Sequence, residues 1–142
     1  MAVNNPLVLV VDTDPIHQEL LDGILEDDMD VILAGSAKEC LELFEFKHPD
    51  LVLLETHVPD MDGYQLCQKL KAQSGERGCA IIFLAEAMSL EEKMTGYRHG
   101  CDDFLCKPFQ PEELITKVKR TLEIKSVQKK YCKNQMMLCT PL

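Results

Sequence analysis

The sequence predicts an α/β fold in which five mostly parallel strands form a doubly wound sheet with helices on both faces. Short continuous apolar runs alternate along the chain with segments whose apolar residues recur at helical spacing, so strands and helices alternate. The apolar runs contain no regular polar positions, which is typical of strands buried on both faces. Alternating strands and helices form βαβ units, whose right-handed crossovers place helices on both sides of a parallel sheet.

The first half of the chain contains three predicted strands and two predicted helices. Asp14 followed by Pro15 is the pattern of an N-cap and a proline in the first helical turn. Ser36 and Glu39 have the spacing of a capping box and predict the start of the second helix, which ends at His48, before a proline. The strands are Leu7–Val11, Val31–Ala34 and Leu51–Leu54. The apolar positions at helical spacing are Ile16, Leu20, Ile24 and Leu25 in the first helix, and Leu41 and Phe44 in the second.

The second half contains two predicted strands and three predicted helices. Turn-forming residues occupy 59–63 and predict a loop, and Gly100 is expected to end a helix. No glycine or proline interrupts residues 112–140, which is consistent with one long final helix. The strands are Ala80–Leu84 and Phe104–Cys106, and the two earlier helices are Tyr64–Gln73, with Leu66, Cys67 and Leu70 inward, and Ser89–His99.

Length and charge predict the domain organisation and disfavour some functions. The 142 residues suffice for one domain, which we place at 1–123, before an extension of the last helix or a basic tail at 124–142. The net charge of −9 disfavours nucleic acid as a partner of this domain, because phosphate binding requires a basic face. No apolar run approaches the roughly 18 residues of a membrane span, and the N-terminus lacks a signal-peptide pattern. We therefore expect a cytoplasmic protein without membrane contacts.

The cysteines fit the same compartment. There are seven, scattered along the chain with no C-x-x-C pair, so we expect neither a disulfide framework nor a zinc ribbon. Most of them are expected to be small buried residues.

Acidic residues and one lysine follow the predicted strands. In a sheet of this kind, ligands bind beyond the carboxyl ends of the strands. The residues at these ends are Asp12, Thr13 and Asp14, then Glu55, then Ala85 and Glu86, and finally Lys107. Carboxylates bind hard cations such as Mg²⁺ and a lysine neutralises phosphate charge, so one interpretation is a metal or phosphoryl site. The other is a solvated acidic rim with one ion pair, and the strand ends alone leave both open.

The chain resembles the receiver domain of two-component response regulators over residues 6 to about 123. The stretches that carry the resemblance are LVLVVDTDP, PDLVLLETHVPDMDGYQLC, AIIFLAEA and GCDDFLCKPF, in the order and spacing of that family. The resemblance implies a flavodoxin-like (CheY-like) fold with strand order 2-1-3-4-5, five helices and a signalling function.

The resemblance also implies a role for individual positions. In that family two adjacent acids hold Mg²⁺, an aspartate accepts a phosphoryl group, a Ser or Thr and a lysine contact the phosphate, and an aromatic residue changes rotamer. Asp12, Lys107 and Phe104 match the first acid, the lysine and the aromatic residue. Thr13, Glu55 and Ala85 stand instead of the second acid, the phosphoacceptor aspartate and the Ser or Thr.

These three departures predict a degenerate receiver, often called a pseudo-receiver, that is not regulated by aspartate phosphorylation. Glu55 has its oxygens displaced by about 1.5 Å relative to aspartate, Thr13 removes an anionic metal ligand, and Ala85 removes the hydroxyl. No cofactor is therefore certain, and any binding of Mg²⁺ is expected to be weak. The candidate ligands are Asp12, Glu55 and the backbone carbonyl of His57, and Asp14 belongs to the same acidic pocket. Glu55 also reaches further toward Lys107 than an aspartate would. A pair between the two side chains would either imitate part of the contact between a phosphorylated aspartate and the lysine, or only neutralise the acidic pocket.

The expected partners are proteins. In receivers the fourth helix, fifth strand and fifth helix form the usual interaction surface, and here that surface includes Lys93, Met94, Tyr97, Arg98, Asp102, Lys119 and Arg120. A homodimer would form through this face or through the last helix, whose apolar residues shift to Ile124, Val127, Tyr131 and Leu138. An attached output domain is the remaining option if the chain is part of a longer protein.

Two other functions fit parts of the sequence pattern. A working phosphorelay receiver would accept phosphate on Glu55, but the changes at 13 and 85 disfavour it. Asp12 and Asp14 also form the D-x-D pattern of haloacid-dehalogenase-type phosphatases, which further need a Ser or Thr after a later strand and a lysine before an acidic pair. The chain lacks that arrangement, so we expect no enzymatic activity.

Overall fold

The computed structural model describes residues 5–75 and 78–138, with side chains as far as residue 128. The strands are β1 (Leu7–Val11), β2 (Asp30–Ala34), β3 (Leu51–Glu55), β4 (His57–Val58), β5 (Met61–Asp62), β6 (Ala80–Ala85) and β7 (Asp103–Cys106). The helices are α1 (Pro15–Leu25), α2 (Ala37–Lys47), α3 (Gly63–Ser74), α4 (Leu90–Arg98) and α5 (Pro111–Leu138). Five strands form one parallel sheet in the order β2-β1-β3-β6-β7. The predicted fold class and strand order are therefore confirmed.

Each face of the sheet is covered by its own hydrophobic core. Successive side chains of a strand point to opposite faces, and β1 divides accordingly. Leu9 and Val11 belong to the core that includes residues of α2 and α3, whereas Val8 and Val10 belong to the core that includes residues of α1 and α5. Burial on both faces explains why β1, β3 and β6 are continuous apolar runs rather than alternating ones.

The helix starts follow local capping chemistry. The Asp14 carboxylate accepts a hydrogen bond from the backbone N–H of Ile16, and Ser36 Oγ accepts one from that of Glu39. The Glu39 carboxylate accepts from the N–H of Gly35 rather than from that of Ser36, so the expected capping box is displaced by one residue on this side. At the other end of α2, His48 adopts a left-handed conformation with φ 51°, and the helix ends where predicted.

The buried face of α1 differs from the predicted one. Ile16 and Leu20 are 77% and 53% exposed, whereas Leu21 and Leu25 are buried. Apolar residues occupy two neighbouring stripes of this helix, and packing against the sheet selects the stripe through 21 and 25. The periodicity alone does not distinguish two adjacent stripes.

The segment predicted as a loop at 59–63 contains additional structure. β4 and β5 form a two-stranded antiparallel hairpin in which His57 pairs with Asp62. Gly63 then begins α3, and a Cβ at this position would lie 2.7 Å from the Thr56 carbonyl oxygen. The glycine is therefore required by close packing where the hairpin meets the helix.

The last helix is long, as expected, and spans Pro111–Leu138 within the described residues. Ile124 and Val127 are 51% and 61% exposed, while the side chains of Tyr131 and Leu138 lie outside the described residues. The division of the chain at residue 123 stays a prediction. Within residues 5–75 and 78–138, no helix has the length and apolarity to cross a bilayer.

Four of the cysteines are buried. They are Cys40, Cys67, Cys79 and Cys101, whereas Cys106 is exposed. Burial raises the pKa of the Cys40 and Cys67 thiols to about 12. The side chains of Cys132 and Cys139 lie outside the described residues.

Candidate functional site

A cleft lies beyond the carboxyl ends of β1, β3, β6 and β7. Parallel strands end at the same edge of the sheet, so the residues that follow them converge there. The lining includes the residues predicted from the strand ends, and among the further residues that line it is His17, which the sequence analysis did not select. The polar and strand-end residues of the lining are Asp12, Thr13, Asp14, His17, Glu55, His57, Ala85, Glu86 and Lys107.

Glu55 and Lys107 form a direct ion pair in the cleft. Lys107 Nζ lies 2.5 Å from Glu55 Oε2, and the two side chains are only 17% and 13% exposed. β3 presents Glu55 as its last residue, and Lys107 follows the end of β7. The longer glutamate side chain thus contacts the lysine without any intervening group.

Asp12 is held rigidly beside this pair. It is 4% exposed, which is unusual for a carboxylate and requires hydrogen-bond partners. Its Oδ1 accepts from the backbone N–H of Asp14 at 3.0 Å, and its Oδ2 lies 2.9 Å from His17 Nδ1. The Gln18 side-chain amide donates to the Asp12 carbonyl oxygen at 2.6 Å, which anchors the backbone of the same residue.

His17 is the site residue that the sequence analysis missed. It lies in the first turns of α1, and its Nδ1 is 2.9 Å from Asp12 Oδ2 and 3.2 Å from Lys107 Nζ. A ring nitrogen donates a hydrogen bond when it carries a proton and accepts one when it does not. His17 Nδ1 therefore either donates to the Asp12 carboxylate or accepts from the Lys107 ammonium, but does not do both at once. The available signal was a histidine in the helix that directly follows the first acidic strand end.

Three further residues of the loops at this edge of the sheet have other contacts or no charge. Asp14 Oδ1 accepts from the backbone N–H of Ile16 at 3.0 Å and so caps α1. Thr13 is exposed and provides no charge. Asp60, on the turn of the hairpin, accepts from the backbone N–H groups of Ala37 and Lys38, which lowers its pKa.

The two positions that the family resemblance predicts to take part in switching, Ala85 and Phe104, are both buried. Ala85, the last residue of β6, is 5% exposed, and Phe104 in β7 is 4% exposed. The Phe104 ring stacks on Phe83 with centroids 5.8 Å apart and meets the edge of Tyr97 at 4.9 Å. A Cβ on Gly96 would lie 2.6 Å from Phe104 Cζ. The ring thus points inward and fits against the helix only because residue 96 has no side chain.

The donor set fits Mg²⁺ poorly. Ligand atoms of Asp12, His17 and Glu55 lie within 4.8 Å of one another. Mg²⁺ demands oxygen ligands in near-octahedral geometry, but one of these donors is an imidazole nitrogen and the Glu55 carboxylate is already paired with Lys107. Thr13 supplies no carboxylate to replace them.

The predicted partner surface is partly exposed and partly engaged within the domain. On α4, Leu90, Met94 and Tyr97 are 77%, 44% and 48% exposed, and we call these three residues the α4 patch. They lie four and three positions apart, so they share one side of the helix. Lys93 is half-buried, and Arg98 and Arg120 are exposed.

Asp102 and Lys119 make contacts elsewhere. Asp102 Oδ2 accepts from Lys71 Nζ at 2.6 Å and from the backbone N–H of Ile81 at 2.8 Å, and its Oδ1 lies 3.0 Å from Lys125 Nζ. Burial opposes the charge of Lys125, but its hydrogen bond and attraction to Asp102 raise its pKa. Lys119 Nζ lies 3.5 Å from Asp28, just after α1. Asp102 therefore fastens α5 to the sheet, and its carboxylate is engaged within the domain.

Comparisons with a family profile and with curated proteins agree on the family of this chain. The profile of the response regulator receiver domain family matches residues 8–119. Response regulator Rre1 of Synechocystis sp. is 36% identical over 117 residues, covering 81% of this chain and 51% of that protein. The probable transcriptional regulator ycf27 of Cyanophora paradoxa is 33% identical over 123 residues, covering 86% and 50%.

A solved structure agrees with these matches. The CheY-like response regulator receiver domain protein from Methanospirillum hungatei JF-1 superposes with a TM-score of 0.81 at 27% identity. The alignment covers 88% of this chain and 99% of that one. The chain thus spans nearly all of a separate receiver domain but about half the length of the curated relatives it matches.

Proposed function

We propose that this chain, which belongs to the response regulator receiver domain family, is a non-enzymatic signalling module that acts through protein contacts and is not controlled by phosphorylation of residue 55. The observation that supports this proposal is the Glu55–Lys107 pair, 2.5 Å between Nζ and Oε2. The carboxylate at the phosphoacceptor position and the lysine that would pair with its phosphate already satisfy each other.

Three changes act in the same direction on phosphoryl transfer. A carboxylate nucleophile must reach the phosphorus in line, and a misplacement of about 1 Å costs roughly a hundredfold in rate. Glu55 is longer than aspartate and is held by Lys107. Thr13 adds no negative charge to bind a metal ion, and the methyl group of Ala85 donates no hydrogen bond to a phosphate oxygen.

Metal binding is weakened for the same reasons. Asp12, Glu55 and the backbone carbonyl of His57 are the oxygen donors that would hold Mg²⁺. We propose that the Lys107 ammonium, a single positive charge at the same carboxylate, makes Mg²⁺ binding at most weak. Mg²⁺ gives up its water ligands reluctantly, so a site with few anionic ligands is expected to have a low affinity for it.

Phosphorelay on Glu55 is the second candidate. It is favoured by family membership and by relatives named as response regulators and transcriptional regulators. A glutamate retains a nucleophilic carboxylate, so the chemistry itself stays available. The two candidates differ in one measurable property, the formation of a phosphoryl adduct.

The α4 patch, with Lys93, Arg98 and Arg120 around it, is the proposed partner surface. Exposed aromatic and methionine side chains are the residue types that protein interfaces favour. The curated relatives are about twice as long as the match, so an attached output domain is one proposed partner and a second copy of the chain is another. Any contact with DNA would then belong to the output domain, because this chain carries a net charge of −9. We place the module in the cytoplasm.

The decisive experiment is intact-mass analysis after incubation with acetyl phosphate and Mg²⁺. The parent is compared with Glu55→Asp and with the triple variant Thr13→Asp/Glu55→Asp/Ala85→Ser, which restores all three family positions. We expect an adduct on the triple variant, which serves as the positive control, and none on the parent. An adduct on the parent that disappears in Glu55→Gln would instead establish phosphorelay on Glu55.

The two dimer routes are separated by sedimentation equilibrium of the full chain. A dimer that Met94→Glu abolishes and Val127→Glu preserves would assign the contact to the α4 patch. The opposite result would assign it to the exposed side of α5. A monomer in all three proteins would leave the output domain as the partner to test.

A further inference from the structure

We propose that a lysine clamp fixes the direction and the rotation with which α5 leaves the domain, so that the distal part of this helix forms a rigid arm. The clamp consists of Lys71 of α3 and Lys117 and Lys125 of α5, together with residues 102–104, which these lysines hold. It lies where β7 begins, at the edge of the sheet opposite the cleft. The inference goes beyond the proposed function, because it concerns how α5 is oriented and not whether residue 55 accepts phosphate.

Asp102 joins the start of β7 to three other elements of the fold. Its Oδ2 accepts hydrogen bonds from Lys71 Nζ at 2.6 Å and from the backbone N–H of Ile81 at 2.8 Å. Its Oδ1 lies 3.0 Å from Lys125 Nζ, and Lys71 also donates to the carbonyl oxygen of Cys79 at 2.7 Å. The carboxylate and both ammonium groups belong to mostly buried side chains. These charge-assisted bonds are therefore shielded from water and stronger than exposed ion pairs.

The backbone beside Asp102 is shaped to admit the stem of Lys71. Gly100 has φ 101°, a conformation that residues with a side chain rarely adopt. A Cβ at this position would lie 2.9 Å from Lys71 Cγ. The missing side chain at residue 100 thus gives the lysine its path to the carboxylate.

Lys117 makes a second connection between α5 and β7. Its Nζ donates to the carbonyl oxygen of Phe104 at 2.6 Å and lies 3.8 Å from Asp103 Oδ1. Lys117, buried Thr121 and Lys125 follow one another at intervals of four residues, so they lie along one side of the helix. The two lysines are about 12 Å apart along the helix axis. A single contact would let α5 pivot, whereas two separated contacts fix its direction and its rotation.

The helix continues beyond the clamp as the arm, which we define as residues 126–138. The described side chains of the arm, at 126–128, are all exposed. A separate helix shorter than about 12–15 residues is only marginally stable in water. The order of the arm must therefore come from its continuity with the clamped part of α5. The same clamp sets the rotation at which Ile124 and Val127 are exposed.

Substitutions at Lys125 test the clamp in the full chain. Lys125→Met removes the charge but keeps a long stem, and Lys125→Arg keeps the charge; the three residue types have similar helix propensities. Lys119→Met is the matched control, because Lys119 lies on the same helix and pairs with Asp28 at 3.5 Å, but both side chains are about half exposed. Amide hydrogen exchange followed by mass spectrometry measures local order.

Lys125→Met should accelerate amide exchange in residues 122–128 by at least about tenfold, because a hydrogen bond between charged groups contributes at least a factor of about ten to local stability. Lys125→Arg and Lys119→Met should exchange like the parent. The amides of β1, β3 and β6 should exchange at the parent rate in all three variants, since the clamp orders α5 and not the whole domain.

The direction of the arm is measured separately, by electron paramagnetic resonance distances between two nitroxide labels. The labels are attached through Lys47→Cys in α2 and Gln128→Cys at the start of the arm, both at exposed positions. The cysteines that are exposed or lack described side chains are first replaced by serine: Cys106, Cys132 and Cys139. The distance distribution should broaden when Lys125→Met is added and should keep its width with Lys119→Met.

The outcomes distinguish a clamp from a contribution to overall stability. The proposal is overturned if Lys125→Met leaves both the exchange of residues 122–128 and the distance distribution unchanged. It is also overturned if exchange rises equally in β1, β3 and β6, since Lys125 would then stabilise the whole domain. Lys117→Met removes the second contact alone and should also broaden the distance distribution; an unchanged width would refute the need for two contacts. None of these variants alters residue 55, so the phosphorylation experiment succeeds or fails independently.

Discussion

Replacing Gly96 by alanine tests how tightly the ring of Phe104 is packed. Gly96 is buried in α4, and a Cβ at this position would lie 2.6 Å from Phe104 Cζ and 2.9 Å from its Cε1. Phe104 has little freedom to move away, because its ring stacks on Phe83 and meets the edge of Tyr97. The added methyl group therefore displaces either the ring or the helix.

The magnitude follows from comparison with a second helical glycine. Gly23 in α1 has no neighbouring atom within 4 Å of an added Cβ, so Gly23→Ala should stabilise the protein by up to about 1 kcal/mol through helix propensity. Gly96→Ala receives a similar gain but incurs overpacking, which costs about 1–3 kcal/mol. The free energies of unfolding of the two variants should differ by this overpacking cost.

The assay is urea unfolding followed by circular dichroism, at equal protein concentration and with the slope of each transition compared. Phe104→Leu should recover part of the loss in the Gly96→Ala background, because a smaller side chain leaves space for the methyl group. Equal stability of Gly96→Ala and Gly23→Ala would refute the reasoning, since it would mean that the Phe104 ring is free to leave its position on α4.

Three further predictions concern the ion pair, a helix cap and the thiols. In a double-mutant cycle, Glu55→Gln and Lys107→Met should show a coupling of about 1–3 kcal/mol in urea unfolding; additive effects would contradict a direct pair. The pKa of Asp60 is lowered by backbone N–H groups at the start of α2, so its contribution to stability is present above its unfolded pKa of about 3.9 and is lost as pH falls through its folded pKa. Asp60→Asn should flatten the loss of stability below about pH 4 in urea titrations, and an unchanged pH profile would exclude this role. Burial raises the pKa of the Cys40 thiol to about 12, so a disulfide exchange reagent at pH 8 should modify exposed Cys106 rapidly and Cys40 only after unfolding, as peptide mapping would show.

Much of the site could be predicted from the sequence because parallel topology makes strand ends converge. Asp12, Glu55 and Lys107 are far apart in the chain, but each follows a buried apolar strand. Once the order of strands and helices is known, these residues must meet at one edge of the sheet. The reach of glutamate is also a property of the side chain itself, so its contact with the lysine could be anticipated.

The orientation of side chains on the helices could not be predicted in the same way. His17 lies beside Asp12 and Lys107 because α1 packs through Leu21 and Leu25, and the sequence offers a second apolar stripe through Ile16 and Leu20. A different choice of stripe rotates the helix and moves the imidazole relative to the cleft. The placement of the His17 imidazole in the cleft therefore depends on which apolar stripe of α1 packs against the sheet, and periodicity leaves that open.

The sequence by itself determined the five strands of the parallel sheet, the helices that alternate with them, and the family whose pattern the chain departs from at residues 13, 55 and 85, because these depend on local patterns and on spacing along the chain. Only the tertiary structure decided that His17 joins the acidic pocket and that Asp102 fastens α5 through Lys71 and Lys125. The physical reason is that a side chain's partners depend on the rotation of its helix and on its rotamer. Both are set by contacts between residues that are distant in the chain.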